Sequence, residues 1–136
     1  MTMQEAGAQA APSKLARVTQ IALWVNAVAH FTGTVGMAFG LGPHAAEQSI
    51  MARRAAAAGV AALVMFVFVS SRLRRDPALV ALPWAFVFCN FADTLFEFSL
   101  SHDPQALAPA APEATFLVIY SVFAANILRA RRGRVA

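Results

Sequence analysis

Four long stretches of this chain are nearly free of charge, and that spacing narrows the folds open to it more than any motif does. Ile21 to Leu41, Ala55 to Ser71, Ala78 to Leu100 and about Ala111 to Leu128 hold only three carboxylates between them, Asp93, Glu97 and Glu113. At a rise of about 1.5 Å per residue, helices of these lengths reach roughly 25 to 35 Å, close to the hydrocarbon thickness of a bilayer. Brief breaks separate them: Gly40, Gly42 and Pro43, then Arg74 to Pro77, then Pro104, Pro109 and Pro112. Short links join antiparallel neighbours, so the expected fold is all-α, a four-span transmembrane up-and-down helix bundle. Residues 1–17 read as a disordered polar tail, 18–129 as the transmembrane domain and 130–136 as a basic C-terminal tail.

Composition agrees with this pattern. The 136 residues are 59% hydrophobic and 13% charged, against about 25% charged for soluble domains. The net charge of +4 does not indicate nucleic acid, because the basic residues edge the apolar runs and show no aromatic-interleaved groove pattern. They set orientation instead. Lys14, Arg17, Arg72, Arg74, Arg75, Arg129, Arg131, Arg132 and Arg134 fall on one side, leaving Arg53 and Arg54 on the other. The positive-inside rule makes the majority side cytoplasmic, with both termini there, in a bacterial-type inner membrane. Trp24 and Trp84 stand near the cytoplasmic ends of their helices, as interfacial aromatics do. The first apolar stretch is longer than the core of a cleaved signal peptide, and is read as a retained span.

The candidate chemistry lies in polar residues within the apolar segments. Asn26, His30 and Thr34 recur every four residues, one stripe on the first helix, and Asn90, Asp93, Thr94 and Glu97 share an arc of the third. The two stripes are expected to face each other, with Phe86 closing the strip on its cytoplasmic side. A charged side chain at mid-membrane costs about 2.5 to 3.5 kcal/mol on insertion scales, so Asp93 is read as either protonated or ionised and paired with His30. Arg53 or Arg54 would neutralise Glu97. For Asn26, Thr34, Asn90 and Thr94 the simpler role is interhelical hydrogen bonding, and His30 alone makes a poor metal or haem ligand set. Cys89 reads as a buried, inert thiol.

Gly36 with Gly40, Ala55 with Gly59 and Ala58 with Ala62 place small residues at helical spacing, which suits close packing of the first two helices or, alternatively, a homo-oligomer face. The outer connections hold His44, Glu47, His102, Asp103 and Glu113, too loosely spaced for a metal site. No cofactor or metal is expected, and the lipid bilayer is the expected partner. In layout the chain resembles small bacterial four-span membrane proteins, without the glutamate and arginine patterns of small multidrug exporters, fluoride channels or glutathione-handling membrane enzymes. The reading that follows is a binding or transport role for a cation or small polar solute at His30, Asn90, Asp93 and Glu97. Two others stand beside it: a membrane enzyme using Asp93 or Glu97 as acid or base, and a structural accessory subunit.

Overall fold

The computed structural model describes residues 14–38 and 49–132, apart from some side chains at helix ends, those of Arg53 and Arg54 among them. Among the described residues the protein is all-helical, with four α-helices and no strand: α1 (Lys14–Ala38), α2 (Ser49–Arg72), α3 (Ala81–Ser101) and α4 (Ala110–Arg132). The apolar runs account for the helices because a helix satisfies its own backbone hydrogen bonds, leaving side-chain chemistry to face outward.

The turns have identifiable causes. Asp-Pro occurs twice, at Asp76-Pro77 and Asp103-Pro104, and each time the aspartate caps a single 3₁₀ turn that begins with the proline. Asp76 Oδ1 accepts from the Ala78 amide at 3.3 Å and Asp103 Oδ1 from Gln105 at 2.9 Å. Proline suits this place, since its ring fixes φ and the first turn has no use for its missing N–H. Between them α3 ends at His102, which takes the left-handed conformation (φ 54°) while its amide closes on the Phe98 carbonyl.

Several helices run past the apolar stretches: α2 starts at Ser49, before Ala55, and α4 continues to Arg132, into the stretch read as a tail. α1 begins at Lys14, inside the stretch read as an unstructured tail. Leu15 and Ala16 pack against the core and the Thr19 hydroxyl donates to the Leu15 carbonyl at 2.9 Å, so burial and hydrogen bonding extend the helix a turn beyond the apolar run. Residues 1–13 and 39–48 lie outside the described residues, and with them Gly40, His44 and Glu47.

Contacts fix the helix directions. Gln20 reaches Ser70 while Thr34 meets Gly59, so α1 and α2 run antiparallel and share the most extensive helix interface. Trp84 bonds Ser121 while Thr94 bonds Glu113, so α3 and α4 are antiparallel as well. The two pairs meet through α1 with α4 and α2 with α3. All the arginine-bearing connections therefore fall at one end of the bundle. The buried apolar core lies toward that end: Leu23, Phe66, Val69, Leu73, Val87 and Phe123 among others.

Around this core the outer faces are apolar on every helix. Ile21, Val25 and Val28 on α1, Val60, Val64 and Phe68 on α2, Phe88, Phe96 and Leu100 on α3, and Val118, Val122 and Leu128 on α4 are all exposed. Cys89 is exposed too, contrary to the expectation of a buried thiol, because it follows Phe88 round the outward side of α3. Two helical stretches, Pro77–Ser101 and Pro104–Ala130, are long and apolar enough to cross a membrane, while Ala57–Arg72 is a shorter apolar helix. Only 22% and 11% of the most apolar windows in the two longer stretches are buried within the protein.

Gly59 is where α1 and α2 come closest. A Cβ built there would overlap the Thr34 side chain, whereas one at Gly33 would meet nothing within 4 Å. Gly59→Ala should therefore force the pair apart and destabilise by about 1 to 3 kcal/mol, as overpacking does. Gly33→Ala should be neutral or slightly stabilising. Equilibrium unfolding of both variants in detergent checks the contrast, and equal effects would remove the close approach as the cause.

Candidate functional site

The polar residues of α1 point inward but toward different neighbours. Asn26 is fully enclosed, and its amide donates to the Tyr120 hydroxyl of α4 at 3.2 Å. One turn on, His30 is half-buried between two aromatic rings. It stacks on Phe66 at 5.9 Å and meets Phe86 edge-on at 5.0 Å, while Phe66 and Phe86 pack edge to face at 5.6 Å. One more turn brings Thr34, whose hydroxyl returns to the His30 carbonyl at 2.7 Å and whose side chain fills the notch at Gly59.

On α3 the inward line runs Pro83, Val87 and Thr94, with Asn90 at its edge. Thr94 is 8% exposed and donates to Glu113 Oε2 of α4 at 3.1 Å. Asn90 is partly exposed, but its Nδ2 is shielded and has no hydrogen-bond partner, a donor left open where most are satisfied. Asp93 and Glu97 are exposed. Asp93 lies near enough to Glu113 for the two carboxylates to act on each other electrostatically.

The expected facing of the two stripes takes a different form. Phe86, the residue read as closing the strip, is what α3 presents to His30, and no ion pair joins His30 to Asp93 or Glu97. The reason is azimuth: Asp93 is one residue, and so about 100°, round from the buried Thr94. Arg53 and Arg54 stand in the first two turns of α2, at the same end as Glu97, and a pairing there lies outside the described side chains. Among the described residues no three of His, Cys, Asp and Glu converge as a metal site.

Two residues complete the interior and were not singled out from the sequence for it. Tyr120 is the chain's one tyrosine, fully buried, and a phenol placed in an apolar helix needs a partner for its hydroxyl. Glu113 lies three residues into α4, where the last connection meets the fourth apolar stretch. The interior thus reads, from the arginine end outward, Asn26 with Tyr120, His30 in its aromatic pair, Asn90, then Thr94 with Glu113. Asp93 and Glu97 stand at the rim.

Polar side chains on the outer faces behave differently. Thr32, Ser71, Ser99, Thr115 and Asn126 are exposed, and each bonds a carbonyl of its own helix three or four residues back, at 2.7 to 2.9 Å. An apolar groove of ≈ 450 Å³ between α3 and α4, lined by Ala78, Ala81, Trp84, Ser121, Ala125 and Leu128, lies toward the arginine end, away from the carboxylates.

Comparison with family models, with curated proteins and with solved structures finds no match to this chain.

The Asn26–Tyr120 bond gives a measurable quantity. Tyr120→Phe leaves the Asn26 amide without its acceptor in a closed interior. A double-mutant cycle of Asn26→Ala with Tyr120→Phe, read by unfolding in detergent, should give a coupling of about 0.6 kcal/mol, the average for interhelical hydrogen bonds in membranes. A coupling indistinguishable from zero would show that the two side chains do not hold α1 to α4.

Proposed function

We propose that the protein is a four-span integral membrane bundle that binds a small cation in a polar recess opening at its acidic end. The membrane part is supported by the distribution of polarity. Large apolar side chains lie on all four outer faces, five exposed polar side chains there bond their own helices, and the Asn26–Tyr120 bond between helices is buried. Lipid tolerates that arrangement, and water does not reward it. On this reading α1 and α2 span alongside α3 and α4, and the arginine-bearing end lies in the cytoplasm of a bacterial-type cell.

The observation that carries the binding role is the pairing of Thr94 with Glu113, flanked by exposed Asp93 and Glu97. Three carboxylates outnumber Arg53 and Arg54 of α2 at that end and attract a cation. Because they do not converge as a chelate, they suit a hydrated or organic monovalent cation better than a stripped divalent ion. The other end is closed by Phe66, Val69, Val87 and Phe123, so the geometry favours binding, with transport requiring the aromatic pair at His30 to part.

Alkaline extraction should leave the protein in the membrane fraction. Titrating the detergent-purified protein with methylammonium or choline, followed by calorimetry, should show saturable binding that weakens on the order of tenfold in Glu113→Gln and in Asp93→Asn, or about 1.4 kcal/mol each. Binding unchanged in both variants would end the proposal.

A further inference from the structure

A second feature lies outside the polar recess, at the opposite end. Arg17 of α1 and Arg74 of the α2–α3 connection line one surface hollow of ≈ 380 Å³ together with Gln20, Ile21 and Trp24. Both arginines are exposed, and among the described residues neither is paired with a carboxylate. The nearest acid in sequence, Asp76, is occupied in capping the following turn through the Ala78 amide. Gln20 is held by its bond to the Ser70 carbonyl at 3.1 Å, which fixes the floor between α1 and α2. Two guanidinium groups brought to one hollow repel each other until an anion sits between them, and guanidinium matches phosphate oxygens particularly well.

The hollow does not stand alone. Trp24 also forms part of an adjoining groove of ≈ 420 Å³ lined by Val25, Val28 and Ala29, with no polar lining. Trp24 thus belongs to both, half exposed, where a basic hollow borders a shallow apolar groove on the outward face of α1. Free phosphate would use the arginines and leave the groove empty. An acyl chain would use the groove and ignore the arginines. A molecule that fills both has an anionic head and a hydrocarbon tail.

We propose that Arg17, Arg74 and the groove beyond Trp24 form a binding site for one acidic phospholipid, its phosphate between the arginines and one acyl chain along Val25, Val28 and Ala29. The site rests on the membrane reading given above and adds a specific lipid to it. Its position suits the arginine-bearing end, where anionic headgroups and basic juxtamembrane residues meet.

Tryptophan fluorescence tests it directly, because Trp24 and Trp84 are the two tryptophans in the chain. The Trp84→Phe variant is reconstituted into phosphatidylcholine vesicles doped with brominated-chain phosphatidylglycerol or, separately, with the same fraction of brominated-chain phosphatidylcholine. Trp24 should be quenched at a phosphatidylglycerol fraction at least about fivefold lower than the phosphatidylcholine fraction needed. Adding Arg17→Gln and Arg74→Gln should bring the two curves together, and soluble glycerol phosphate should leave the quenching unchanged. In Trp24→Phe, Trp84 should show a smaller preference between the lipids. Equal quenching of Trp24 by both lipids, or a preference that survives loss of both arginines, overturns the site, as does full displacement by glycerol phosphate. Flotation of the same vesicles separates the two proposals: protein that fails to float sinks the membrane reading and the site together, while floating protein without a headgroup preference sinks the site alone.

Discussion

An apolar exterior favours the interior and its edges for hydrogen bonds between helices, and much of this structure follows from that preference. Outside, Thr32, Thr115 and Asn126 close on the carbonyls four residues back in their own helices, and Trp84 with Ser121 makes an exposed bond between helices. Inside, Asn26 with Tyr120 ties the first helix to the last, and Thr94 with Glu113 ties α3 to its neighbour α4. Each such bond is worth little by itself. Their value is positional, since an amide and a phenol meet at one register and at no other, whereas Val, Leu and Phe faces slide with small loss.

The same apolar exterior sets how helices approach. Apolar attraction between helices is weak where the surroundings are themselves apolar, so contact area depends on close backbone approach. Gly59 supplies it at the Thr34 notch, and the α1–α2 interface is the most extensive in the bundle. The α3–α4 pair uses aromatic surface as well: Trp84 lies parallel on Phe88 at 5.2 Å and donates to Ser121 at 2.9 Å.

Much of this was legible in the residues and some was not, for a definable reason. Uncharged runs locate helices because the signal is local, and each of the four helices forms over an apolar stretch of the sequence. Periodicity places Asn26, His30 and Thr34 on one side of α1, and all three do turn inward. What periodicity cannot give is the partner, because an angle about one axis says nothing of which neighbour stands there. Hence Asn26 meets Tyr120, and His30 meets Phe66 and Phe86 in place of Asp93. The polar arc of α3 was also too wide to separate the buried Thr94 from the exposed Asp93 next to it. Lys14 to Arg17 looked like a tail because polarity marks solvent exposure, while Leu15 and Ala16 within it carry the packing.

The two ends of the bundle differ in kind, and the difference bears on what the interior can do. At the arginine end the core is apolar and closed, with Leu23, Phe66, Val69 and Leu73 at 2% exposure or less. At the acidic end the interior holds Thr94, Glu113 and an amide donor without a partner. A closed core resists deformation because packed side chains cannot be compressed singly, whereas hydrogen-bonded polar groups near an open end can exchange partners. His30 stands at the boundary, its ring held by contacts to two phenylalanines and by no hydrogen bond. Ring contacts of that kind are worth about 0.5 to 1.5 kcal/mol each, far less than repacking the core below them. Any rearrangement that opens the interior from the acidic end therefore has its softest point at the rings of His30 and Phe86, and the packing toward the arginine end, Phe66 included, is the part that stays.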